Sequence, residues 1–210
     1  MTQPGLDAAL RARLMDILKS DVCQRIDFTW AGEHIGGTGF AYLAIALLSP
    51  HIGQTGLAIE RVDRMPKGIS AQYSANRNTL YVLSYDYGKA HKEKALLLHE
   101  MTHAHIDEFG VGSSTVTVDN EICAYVAGTL FNVFSCRTPA TGPYLWSPDS
   151  TTADVWVEAH AIAQVVVRRT SRGRANLSTH DVARLRAAIL RNGNYQSAAH
   201  RSHANTGVGL

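Results

Sequence analysis

The segment Leu96-Leu97-Leu98-His99-Glu100-Met101-Thr102-His103-Ala104 constrains this chain more than any other. It lies within a longer helical pattern, Lys89 to Phe109, which Gly110 stops. At about 100° per residue, positions i and i+4 stand only about 40° apart on one helix face. His99 and His103 can therefore reach a single ion. Glu100 stands about 100° round from His99, at the edge of the same face. It is too far round to be the natural third ligand, yet close enough to touch a water bound to that ion. With 10 histidines in 210 residues, random placement produces H-E-x-x-H about 0.016 times per chain. Leu97, Met101 and Ala104 lie opposite the histidines, and Leu96 and Ile106 flank them, so the helix is expected to be buried. Buried imidazoles and a carboxylate need partners, because leaving them unpaired is costly.

An open zinc site needs a third protein ligand, with a water in the fourth position. A histidine six residues beyond the second one is excluded, since Phe109 stands there and Ile106 replaces the glycine of that pattern. The acidic candidates are Asp107, Glu108, Asp119 and Glu121. Asp107 and Glu108 share the helix and cannot fold back onto the ion. Glu121 opens the next helical stretch, which can pack against the first and aim a carboxylate at the metal. Asp119 and His160 are the alternatives.

The remaining segments fill in an α+β pattern. Residues 6–20 carry apolar side chains at helical spacing. Gly36-Gly37-Thr38-Gly39 reads as a flexible hinge before an apolar segment, 40–48. It lacks the Lys-Ser/Thr of a P-loop and the spacing of a dinucleotide fingerprint. Leu57 to Val62 reads as a strand. Ile69 to Ser74 and Thr79 to Ser84, joined by Ala75-Asn76-Arg77-Asn78, read as a hairpin. A helix is expected over roughly 120–135, capped by Asp119 or Asn120, then a proline-marked loop over 137–148. Two further helices follow, Asp149 to Thr170 and Ser178 to Arg191, the latter with Ser178 as N-cap and Asp181 at the capping-box position. Residues 1–191 read as one domain and 192–210 as a flexible C-terminal tail.

Composition bears mainly on compartment and partners. The net charge is +2, which gives no general field for nucleic acid or membrane. Arg168-Arg169-Thr170-Ser171-Arg172-Gly173-Arg174 reads as a solvated loop between helices, since no aromatic residues interleave. The longest apolar run, Phe40 to Leu48, is far below the ~20 residues of a membrane span. Three cysteines without a CxxC pair, and no signal-peptide pattern at the N-terminus, predict a cytoplasmic protein without a disulfide framework. Non-classical export stays open, as for a toxin or effector delivered to another cell. Cys123 reads as a small buried residue, and Glu33-His34 as structural.

Asn120-Glu121-Ile122-Cys123-Ala124, about twenty residues after the first motif, makes the sequence resemble the zincin metallopeptidases of the gluzincin branch, whose second motif reads Asn-Glu-x-x-small. Glu121-x-x-Ala124-x-x-Ala127-x-x-Leu130-Phe131 looks like the small ImmA/IrrE-type peptidases, a weaker likeness. The resemblance covers roughly 73–135. It implies zinc held by His99, His103 and Glu121, with Glu100 as catalytic base. It also implies a zincin-like fold, with a small, mostly antiparallel sheet ahead of a helical body carrying the zinc helix. The expected activity is zinc-dependent hydrolysis of peptide or protein substrates. The alternative is a non-enzymatic, zinc-stabilised peptide-binding protein. In that family the hairpin before the active helix supplies a substrate-binding edge strand, and Thr79 to Leu83 is expected to be that edge. The sequence departs from the thermolysin-like pattern at Tyr125, where an aspartate would support the first histidine. Asp107 is the expected substitute. Tyr125, Tyr144, His160 and Tyr195 are candidates for the group that polarises the substrate carbonyl.

Overall fold

A computed structural model describes residues 6–48, 56–65, 69–110, 114–135, 152–170, 173–192, 195 and 202–204. The chain starts with helix α1 (Leu6–Lys19) and the single turn α2 (Asp21–Gln24), whose first turn is capped by the Ser20 hydroxyl accepting from the Cys23 N–H. Leu10, Leu14, Ile17 and Leu18 bury one face of α1, as their spacing predicts. Strands β1 (Asp27–Trp30) and β2 (Glu33–Gly36) form a hairpin across Ala31-Gly32. Both turn residues have positive φ, 52° and 88°, as a tight two-residue turn between twisted strands requires.

Helix α3 (Gly37–Ala46) follows at once, so the glycines are not a hinge. They are small because neighbours come close. A Cβ at Gly37 would sit 2.5 Å from the Gln24 backbone, and one at Gly39 would overlap the His105 ring.

Next come β3 (Ala58–Arg61), β4 (Ala71–Ser74), a 3₁₀ turn (Ala75–Arg77) and β5 (Thr79–Val82). The hairpin is where the sequence predicts it, closed by Asn78 in the left-handed region. The sheet order is β3-β5-β4. Strand β5 is therefore central, parallel to β3 and antiparallel to β4. The expectation that Thr79 to Leu83 forms the exposed edge is wrong, and β4 is the edge of that sheet on the side away from β3.

Helix α4 (His91–Phe109) carries the histidine motif. Its N-terminus is closed by the Glu93 carboxylate, which accepts from the N–H groups of Gly88, Lys89 and Ala90 at 2.9–3.1 Å. Strand β6 (Ser114–Val116) leads into α5 (Thr117–Ser135). This helix starts at Thr117 rather than near 120, and Asp119 is not its cap. Asp119 instead accepts from Trp30 Nε1 at 3.1 Å and from Arg186 at 2.6 Å. Helices α4 and α5 approach closely at Gly128, where a Cβ would meet the Ala95 carbonyl at 2.8 Å.

Helix α6 (Ala153–Thr170), the short strand β7 (Ala175–Asn176), α7 (Thr179–Arg191) and β8 (Ser202–Ala204) complete the described chain. Ser178 and Asp181 form the expected capping box. Arg169 grips Asp181 through two bonds of 2.7 and 3.0 Å, and Arg174 pairs with Asp27, so these arginines of the basic run have structural partners. Strand β7 joins β1 in parallel, and β8 pairs antiparallel with β6. The stretch expected as a loose tail thus includes a paired strand. The loop expected over 137–148, with Tyr144, lies outside the described residues.

The architecture is α+β. Each three-stranded sheet has one parallel and one antiparallel pairing, so the sheets are mixed rather than mostly antiparallel. Cys23 and Cys123 are free and buried. Among the described residues no helix is long and apolar enough to cross a membrane.

Candidate metal centre

Helix α4 turns His99 and His103 toward α5, which returns Glu121 to meet them, and Glu100 toward β4. The Nε2 atoms of His99 and His103 are 3.3 Å apart. Glu121 Oε2 lies 3.6 Å from His99 Nε2, and Glu121 Oε1 lies 3.7 Å from His103 Nε2. Donors about 2.1 Å from one tetrahedral ion stand about 3.4 Å apart, so these three atoms have the separations a shared ion imposes. Glu121 Oε2 is buried and has no hydrogen-bond partner, and neither has His99 Nδ1. A cation between the three side chains answers the first of these deficits. His99, His103 and Glu121 can therefore hold a metal ion, and among the described residues no other group of three such side chains converges in this way.

The surroundings favour the ligand form of both histidines. Burial pushes the His99 imidazole well below its ordinary range, helped by His103. Burial also brings His103 down to about 4. Both rings are thus neutral near pH 7, with a lone pair for a metal. His103 Nδ1 donates to Asn120 Oδ1 at 2.5 Å, which fixes the tautomer that leaves Nε2 free. Burial raises Glu121 to about 8, opposed by a hydrogen bond from the Tyr195 hydroxyl. A bound dication reverses that upward shift.

Glu100 stands beside the three donors and outside their set. Its Oε2 accepts from the Tyr73 N–H at 2.8 Å, and its Oε1 lies 4.0 Å from His99 Nε2. Burial lifts its carboxyl well above the usual range, the Tyr73 N–H opposes this, and nearby Glu121 adds to it. The Tyr73 hydroxyl in turn donates to Asp107 Oδ2 at 2.8 Å.

Aromatic rings close the other side. His99 packs edge-on against Tyr125, with centroids 4.5 Å apart, and Tyr125 packs on Trp156 at 4.7 Å. The Tyr125 and Tyr195 hydroxyls are 2.9 Å apart. Together these groups line a cavity of about 480 Å³ bordered by β4, α4 and α5.

His99, Glu100, His103 and Glu121 come together as the motif spacing predicts. Asp119 is turned away to Trp30 and Arg186, and so is not the third ligand. His160 lies within 3.4 Å of Gln164 and is not in the cavity wall, which leaves Tyr125 and Tyr195 as the described candidates near a substrate carbonyl. Asp107 binds Tyr73, and the group supporting His103 is Asn120. The sequence offers Asn120 as an alternative helix cap and as the first residue of the Asn-Glu motif, and its bond to His103 emerges only in the fold. Tyr73 acts on Glu100 through its backbone N–H, which leaves no trace in residue type. Comparisons with protein-family models, with curated proteins and with solved structures find no match to this chain.

Proposed function

We propose that this chain is a zinc-dependent peptidase of the zincin type. The observation that carries the reading is a buried His99, His103 and Glu121 set at ion-sharing separations, with the Glu100 carboxylate beside it and not part of it. Two imidazoles and a carboxylate suit zinc, and three protein donors leave a fourth position open. A purely structural zinc would instead take four protein ligands. Bound there, zinc would lower the pKa of a water and polarise a carbonyl.

The chain's own groups supply the remaining steps. Glu100 Oε2 is held by Tyr73, so Oε1 is free to take the proton of the attacking water and pass it to the leaving amine. The Tyr195 hydroxyl, bonded to Glu121 and next to Tyr125, is suited to donate to the carbonyl oxygen as negative charge builds on it.

The edge of β4 suits an extended peptide. Leu83 N–H donates to the Ser70 carbonyl, so Ser70, Gln72 and Ser74 direct their backbone groups to β5. Ala71 and Tyr73 direct theirs outward, and the Tyr73 N–H accordingly reaches Glu100. An added strand would pair with Ala71 N–H and C=O and with the Tyr73 carbonyl, beside the metal donors. The test is turnover of a peptide library by the zinc-loaded protein and by Glu100→Gln. Gln is nearly isosteric and cannot accept the proton, so zinc is retained and the rate falls by about 10²–10⁴. Undiminished turnover in Glu100→Gln removes that residue from the reaction.

A further inference from the structure

The cavity beside the metal donors carries charge of one sign. Its described walls hold the carboxylates of Glu100, Asp107 and Glu121, and no lysine or arginine. Arg77 stands outside, donating to the Tyr81 hydroxyl at 3.2 Å, with Glu60 acting on its charge. A divalent ion offsets two of the three carboxylates and leaves the cleft negative. Tyr73, Tyr81, Tyr125, Trp156 and Tyr195 supply much of the remaining wall, and aromatic faces also attract cations.

Asp107 is the one of these carboxylates with no part in ligation or proton transfer. It follows His103 by four residues, one turn or about 6 Å along α4. The Tyr73 N–H meets Glu100 while the hydroxyl of the same residue meets Asp107, so Tyr73 links the β4 edge to both carboxylates. Asp107 lines the same cavity as the metal donors, and a lysine or arginine side chain within two positions of a bond held at the metal is long enough to span that one turn to its carboxylate.

We propose, building on the peptidase reading, that Asp107 makes this cleft selective for peptides with lysine or arginine within two positions of the cleaved bond. The Asp107 carboxylate pairs with the ammonium or guanidinium and repels an acidic side chain at the same position.

The test uses full-length, zinc-loaded Glu100→Gln protein, so that binding is read apart from cleavage. Labelled Gly/Ala decapeptides with a single central Lys, Gln or Glu are titrated by fluorescence anisotropy, and their register is free to slide. The Lys peptide is expected to bind about tenfold tighter than the Gln peptide. The Glu peptide is expected to bind weakest, and the Lys advantage to shrink with added salt. In the Asp107→Asn background the Lys-over-Gln ratio falls to about twofold or less, and in Asp107→Glu it is kept. Asp107→Ser replaces Asp107→Asn if the amide does not fold at this buried position. Equal binding of Lys and Gln peptides, no binding of any peptide, or an unchanged ratio in a zinc-replete neutral variant overturns the proposal. Lys-selective binding without cleavage by the chain carrying Glu100 removes the hydrolytic reading and leaves this selectivity standing.

Discussion

His103 owes its ligand form to Asn120, whose amide oxygen takes the Nδ1 proton and so keeps the Nε2 lone pair for a metal. Groups of this kind typically contribute 10–100-fold to metal affinity. Asn120→Ala is therefore expected to weaken zinc binding by about that factor, measured by competition with a chromogenic chelator. Unaltered affinity would show that the packing of α5 alone orients the ring. His105, two residues on, faces the opposite way. It is buried between Phe40 and Phe109 with its ring against Gly39. Burial, with a smaller push from His34, lowers its pKa to about 4. The unfolded chain takes up this proton near pH 6.5 and the folded chain only near 4, so folding stability falls as pH drops through that window and levels off below it. The loss between pH 7.5 and 4.5 assigned to His105 is roughly 2 kcal/mol. Urea unfolding at the two pH values checks this, because His105→Gln should remove that part of the dependence. An equal pH dependence in the variant would place the effect in other groups.

The elements follow their sequence signals closely where those signals are local. Ser178, Asp181 and the apolar stripe of α7 define that helix as read, and Asn78 closes the β4–β5 hairpin as its turn composition predicts. The misreadings occur where a distant partner decides. Asp119 looks like a cap in isolation, yet Trp30 and Arg186 claim its carboxylate. Strand β5 looks like the hairpin's free side, yet β3 pairs with it in parallel from earlier in the chain. The edge that remains is β4, and its alternating backbone gives a sharp contrast. Ala71→Pro removes an outward N–H and leaves the β4–β5 bonds in place. Its expected result is a several-fold higher KM for peptides with zinc content and unfolding midpoint nearly unchanged. Gln72→Pro removes an N–H directed at β5, and should lower stability by about 1–3 kcal/mol. Equal behaviour of the two variants in melting and kinetics would mean that peptides do not pair with this edge.

At the scale of the whole molecule, the α+β class and the His99, His103 and Glu121 cluster are legible because both rest on short spacings. Four residues bring the histidines onto one face, and one interhelical connection brings Glu121 back to them. What the sequence leaves hidden is contributed from far away: Tyr73 from β4, Trp156 from α6 and Tyr195 from beyond α7 all border the same cavity. Helices α4 and α5 pack closely beside Gly128, and a metal ion would cross-link them through donors on both. Without the ion, that interface holds two buried neutral imidazoles and a carboxylate lifted to about 8. A metal ion can bind these groups only when the fold assembles them, so the proposed zinc, free at about 100 times its Kd, would add about 2.7 kcal/mol to stability. For a chain of this length that corresponds to roughly 5–10 °C in Tm. Chelation is therefore expected to lower the melting temperature by about that amount, with recovery on adding zinc back. Glu121→Ala should melt at one temperature with or without chelator, because the third donor is gone. A Tm of the unsubstituted chain that ignores both chelator and zinc would mean that no ion joins α4 to α5, and the peptidase reading would fall with it.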